Sequence, residues 1–183
     1  MIKGTELLEL INFRQSDRAY LTTPIEDEKI NRILEAARLA PSACNAQPWK
    51  FIVVNNPNLK NKIADCTSNK VLGMNHFTKQ APVHIVIVEE SANFTSNAGS
   101  FIKGKHFPLI DIGIVAEHIC LQAASEGLGS CMLGWFDESK VKKLLNIPKS
   151  KRVPLIITLG YPAKETREKR RKDISDIVNY NAY

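Results

Sequence analysis

No Cys-x-x-Cys pair occurs in the chain, and none of its cysteines (Cys44, Cys66, Cys120, Cys131) stands beside a histidine at metal-ligand spacing. The histidines (His76, His84, His106, His118) are scattered, with no His-x-x-x-His. No metal site is expected, and the thiols read as reduced and mostly buried. No apolar run approaches the roughly 20 residues that a bilayer span needs. The start, MIKGTELLEL, has acidic residues where a secretory leader has a basic flank and a long apolar stretch. The expectation is a soluble, cytoplasmic protein with no membrane partner.

Catalytic signatures are missing too. There is no G-x-S-x-G elbow, no Walker lysine motif and no G-x-G-x-x-G after a strand. Gly127-Leu128-Gly129 follows a helical pattern instead of opening one, and no paired carboxylates stand out. No side chain is therefore assigned as catalytic. If the chain is an enzyme, a bound cofactor carries the chemistry.

What is present reads as one compact domain over 1–183: 183 residues, 44% apolar, 24% charged, formal net charge +6. Leu7, Leu8, Leu10 and Ile11 give a first helix over 4–14 a broad apolar face. Ile30, Ile33, Leu34 and Ala37 recur at i, i+3, i+4, i+7 in a second, which must stop before Pro41. Trp49–Val54 and Val83–Val88 read as strands, the latter covered on both faces because its apolar character is nearly continuous. Leu59–Cys66 and Glu138–Leu145 read as short helices, and 131–133 and 153–159 as strands. The strongest helical signal runs from Leu109 to Ala124 and is apolar nearly all round, so it is expected to be buried centrally or against a partner. Residues 91–106 read as a long loop or lid. Alternating strands and helices indicate a layered domain of α and β elements.

Three polar clusters stand out. Arg14-Gln15-Ser16-Asp17-Arg18 places two guanidinium groups and a hydroxyl within five residues, which suits either a phosphate or a solvated helix end. Pro41-Ser42-Ala43-Cys44-Asn45-Ala46-Gln47-Pro48-Trp49 brackets small and amide side chains between prolines, as a heterocycle-binding loop or an ordinary turn would. The tail over 164–172 holds six basic and two acidic residues. Such a run is a solvated surface, a phosphate site or a nucleic-acid contact, though it lacks the aromatic interleaving of a single-strand platform.

Together these segments resemble the FMN-dependent nitroreductase family. R-x-S-x-R at 14–18, P-S-x-x-N-x-Q-P-W at 41–49, L-Q-A-A-x-E-G-L-G-S at 121–130 and G-Y-P with K-x-R at 160–171 fall in the family's order, covering about residues 10 to 180. The resemblance implies an α+β fold: a central, mainly antiparallel sheet flanked by helices, in an intertwined homodimer holding two FMN at its interface. It implies that Arg14, Gln15 and Ser16 hold the phosphate and ribityl chain, with Lys169 and Arg171 also at the phosphate. Arg18 is expected near the flavin N1–C2=O edge, where a cation stabilises charge on the reduced ring. Pro41, Ser42, Ala43 and Asn45 match a loop supplied by the other subunit. Gly134 matches a backbone position near flavin N5, and Asn75 an amide at the pyrimidine ring. Residues 173–183 are expected to reach across to the partner.

The implied chemistry is ping-pong hydride transfer, from NADH or NADPH through the flavin to a small-molecule acceptor such as a nitroaromatic or quinone. The other readings are a specialised flavin reaction, such as reductive dehalogenation, and a basic nucleic-acid-binding module.

Overall fold

The computed structural model describes residues 3–68, 74–91 and 105–183. Most of the expected loop at 91–106 lies outside these residues. Among them, five α-helices surround one sheet: α1 (Gly4–Phe13), α2 (Asp27–Arg38), α3 (Pro57–Thr67), α4 (Phe107–Ser125) and α5 (Glu138–Leu144). The strands are β1 (Trp49–Val54), β2 (Val83–Glu89), β3 (Gly129–Leu133) and β4 (Arg152–Gly160), in the order β1-β2-β4-β3 with every pair antiparallel.

The sheet is covered on both faces, which is why β2 is apolar but for His84 and the terminal Glu89 although it is not parallel. Along β2 the side chains alternate. Val83, Ile85 and Ile87 join α2 and α4 in one core, with Ile33, Ala37, Ile112, Val115 and Ile119. Val86 and Val88 join α3 and α5 in the other, with Ile63, Val141 and Ile156. Val86 pairs with Ile52 on one side and Ile156 on the other, so it sits mid-sheet.

Helix α4 is long and apolar enough to cross a membrane by length and composition alone. Its stripe Ile112, Val115, Ala116, Ile119 and Ala123 instead packs into the core against α2 and the sheet. Helix α1 is the opposite case. None of its residues is buried, and Leu8 and Phe13 are 65% and 50% exposed. The cysteines divide evenly: Cys120 and Cys131 are buried, Cys66 is half-buried and Cys44 is exposed. Burial pushes the Cys120 thiol up to about 12, so it behaves as a small apolar group.

A short segment fastens both ends of the chain to the sheet. The Asp17 N–H donates to the Ser130 carbonyl at 2.8 Å, extending the register beside β3 through a parallel bridge at Ser16. Further on, Leu21 N–H donates to Tyr161 O and Ala163 N–H to Ala19 O, so the same segment pairs with the chain leaving β4. Two glycines permit this approach: a Cβ on Gly129 would stand 2.6 Å from Asp17 Oδ2, and one on Gly160 would stand 2.9 Å from Tyr20 Cδ1. Tyr20, buried, closes the clamp by donating its hydroxyl to the Asp17 carbonyl and sharing a 2.8 Å hydrogen bond with Thr158.

His84 on β2 is fully buried, with Nε2 3.0 Å from the Thr78 carbonyl and Nδ1 unpartnered among the described residues. Burial holds its imidazole down at about 4, against 6.5 when unfolded. Unfolded chains then take up protons that the native state refuses, so stability falls as pH drops from 6.5 towards 4. The loss amounts to about 3 kcal/mol over that window. Urea denaturation across it will show this slope, and His84→Gln, which keeps a donor but does not titrate, will flatten it. An equal slope in both proteins would contradict the assignment.

Candidate active site

Two segments more than 140 residues apart form one cleft because of this clamp. The cleft encloses about 600 Å³ and is lined by Arg14, Gln15, Ser16 and Arg18 from one end of the chain and residues 167–171 from the other. It holds six cations (Arg14, Arg18, Arg167, Lys169, Arg170, Arg171) against the single carboxylate of Glu168. The tail is folded onto the first segment by specific bonds. Arg167 donates from its backbone N–H to Gln15 Oε1 at 3.1 Å and from its guanidinium to the Ser16 carbonyl at 3.0 Å. Lys169 Nζ caps the Ile11 carbonyl, near the end of α1, at 2.6 Å.

The electrostatics of the cleft favour an anion. Arg14 is held at 3.5 Å from Glu117 of α4, and its buried Nε has no hydrogen-bond partner among the described residues. Burial, then the charges of Arg14 and Arg171, lower the Lys169 ammonium from its ordinary range. Crowded cations lining one cleft match the oxygens of a phosphate group. Asp17, behind the cleft, has its carboxyl raised by burial while Gln15 Nε2 donates to it at 2.9 Å. It orients Gln15 and is not itself a lining group of the large cleft.

The second cluster folds as a strained loop elsewhere on α4. Cys44, Asn45 and Gln47 all adopt positive φ, at 51°, 51° and 47°. For a non-glycine residue this costs roughly 1–2 kcal/mol, less for Asn. The surroundings hold it in place: Ala43 N–H donates to Asp111 Oδ1 at 3.0 Å, and Gln47 N–H to Ser42 Oγ at 2.9 Å. Asp111 is buried, and its other oxygen has no partner among the described residues. Strain of this kind concentrates at binding sites.

The structure thus gathers Arg14, Gln15, Ser16, Arg18, Lys169 and Arg171 around one cavity, and leaves the remaining expected residues outside it. Pro41, Ser42, Ala43 and Asn45 form the strained loop. Gly134 is exposed just past β3, about 13 Å along that strand from Ser130. Asn75 has a left-handed backbone (φ 59°) and donates its amide to the Thr67 carbonyl at 3.2 Å, after α3.

The sequence profile of the Nitroreductase family matches residues 11–72 and 67–161. The chain belongs to this family. A nitroreductase family protein of Clostridium novyi NT is 36% identical, with 90% of this chain and 89% of that one covered and a TM-score of 0.76. An FMN-dependent nitroreductase of Clostridium difficile is 28% identical over 96% and 99% of the two chains, with a TM-score of 0.75. An oxygen-insensitive NADPH nitroreductase of Helicobacter acinonychis is 30% identical over 205 residues, covering 94% of this chain and 95% of that protein.

Three residues of this nitroreductase-family site escape a reading of motifs. Asp111 holds the loop amide, Glu117 pairs with Arg14, and Arg167 ties the tail to Gln15 and Ser16. Arg167 lies within the basic run at 164–172 already singled out, and Asp111 shows as an acid on the buried stripe of a mostly apolar helix; Glu117 carries no such signal.

Inorganic phosphate will raise the melting temperature of the protein. At a hundredfold excess over Kd the gain is about 2.7 kcal/mol, several degrees for a chain of this size. In Arg14→Ala and Arg171→Gln most of that phosphate-dependent shift will disappear, read against each variant's own phosphate-free baseline. An undiminished shift would place the anion elsewhere.

Proposed function

We propose that this chain is an FMN-dependent NAD(P)H oxidoreductase that reduces small-molecule acceptors such as nitroaromatics or quinones. The observation that carries this reading is the cation cleft shared by Arg14 and Arg171, whose donors fit the phosphate of FMN. FMN, when bound, supplies hydride chemistry at N5: it accepts from NADH or NADPH and gives to the acceptor in a second encounter at the same face.

The chain's own residues bind and tune. Arg14, Lys169 and Arg171 hold the phosphate, which offsets the repulsion by Arg14 and Arg171 that adds to burial in lowering Lys169, while Gln15 and Ser16 serve the ribityl chain. Arg18 lines the same cleft as an exposed cation. Its charge favours the reduced, anionic ring. Gly134 has open space where a Cβ would stand, so a planar ring can lie against the backbone there. Asn75 serves the ring only if its amide leaves Thr67. No side chain is asked to donate a proton, because solvent reaches the open cleft.

Pro41, Ser42, Ala43 and Asn45 hold the partner subunit's flavin in this proposal, which accounts for their absence from their own chain's cleft. Exposed apolar residues support a homodimer: Leu8 and Phe13 on α1, Ile110 on α4, and Ile174 and Ile177 in the extended C-terminal segment, which are 68% and 61% exposed. The domain in this reading spans 1–183, with 173–183 crossing to the partner. A nucleic-acid contact through 164–172 is less well supported, because Arg167 and Lys169 turn inward onto residues 11–16.

Purified protein, or protein reconstituted with FMN, will be yellow and will bleach anaerobically on adding NADH or NADPH. Failure to bind FMN at all would refute the reading. Arg18→Ala will bind FMN but shift its reduction potential downwards, and an unchanged potential would remove Arg18 from the ring. Light scattering will give about twice the 20.5 kDa chain mass. Removal of 173–183 will weaken that dimer, whereas a monomeric full-length protein would exclude the shared site.

A further inference from the structure

A second cleft of about 420 Å³ lies between α2, the start of α3 and the entry to β2, and shares no residue with the cation cleft. Ile25, Ile30, Pro82 and Val83 give it an apolar wall, and Lys60 and Lys79 line it as well. The two lysines are placed differently. Lys79 is exposed and its ammonium is paired with Asp65 at 2.6 Å. Lys60 is half-buried and has no carboxylate within ion-pair distance among the described residues. Its Nζ donates to the Lys79 backbone carbonyl.

We propose that Lys60 is a modification site, at which Nζ accepts an acyl group from an acyl phosphate entering this cleft. A lysine that is partly desolvated and set beside a fixed cation spends more of its time as the free amine, which is the nucleophile. Burial, then the Lys79 charge, lower its ammonium from the ordinary lysine range. The other ionisable groups nearby do not cancel this. His84, beneath, is neutral above about pH 4, Asp65 is engaged by Lys79, and Asp27 lines the cleft from α2 without reaching ion-pair distance of Lys60. One N–H remains on the Lys79 carbonyl while the lone pair is directed elsewhere, and the Lys79 charge attracts the phosphate of the donor. In the transfer, the nitrogen lone pair forms the amide C–N bond and the acyl carbon–oxygen bond breaks. Phosphate leaves with that electron pair, the nitrogen releases a proton to solvent, and no redox change occurs.

Lys62, exposed on the same helix, is an internal standard. The full-length protein is incubated with acetyl phosphate, and fragment-ion mass spectrometry follows acetylation of each lysine over time. At about pH 7.5 Lys60 will acetylate several-fold faster than Lys62, and the ratio will narrow towards about pH 10 as both amines deprotonate. Lys79→Gln, checked for an unchanged melting profile, will reduce the ratio at the lower pH. A Lys60 rate no faster than Lys62, or a ratio that neither pH nor Lys79→Gln alters, overturns the proposal.

Discussion

The site depends on three backbone hydrogen bonds. Asp17 to Ser130, Leu21 to Tyr161 and Ala163 to Ala19 thread one extended segment between the edge of β3 and the exit of β4. Without them, Arg14 and Arg171 would belong to two solvated ends of the polypeptide. Each bond is modest by itself, about 1 kcal/mol net. They act together because Gly129 and Gly160 let Asp17 and Tyr20 approach the sheet closely, and because Tyr20 is anchored to Thr158 in the buried layer. The cleft's cations repel one another, so its geometry is held by this pairing, by the core beneath it and by the bonds of Arg167 to Gln15 and Ser16.

Much of the scaffold was legible from residue patterns. The nearly continuous apolarity of β2 reports a strand with helices above and below, and the antiparallel sheet meets that condition through α2 and α4 on one face and α3 and α5 on the other. The apolar stripe of α4 and the proline boundary after α2 likewise matched local periodicity, which depends on neighbours within a turn or two. Two-sided burial does not fix strand direction; the mainly antiparallel order came from the family resemblance, and every pair of the sheet is antiparallel.

Other features were not legible, for physical reasons. The clamp joins positions more than 110 residues apart, a separation that no local period encodes. The loop at 44–47 places Cys44 and Gln47 in left-handed conformations, where propensity expects glycine, and it is stabilised by Asp111 from a helix some 65 residues later. The first helix is plainly amphipathic, yet none of its residues is buried among the described residues. Its pattern announces a burial that the isolated chain does not perform. The family resemblance supplied what local physics could not, namely that residues 14–18 and 167–171 serve one site; the structure brings those two segments to one cleft.

Because Arg171 stands opposite Arg14, the anion cradle is absent from a nascent polypeptide until synthesis has passed its 171st residue. By then every strand of the sheet has already been made. A product terminated just after β4 has the full sheet but only two of the six cations of the cleft, Arg14 and Arg18.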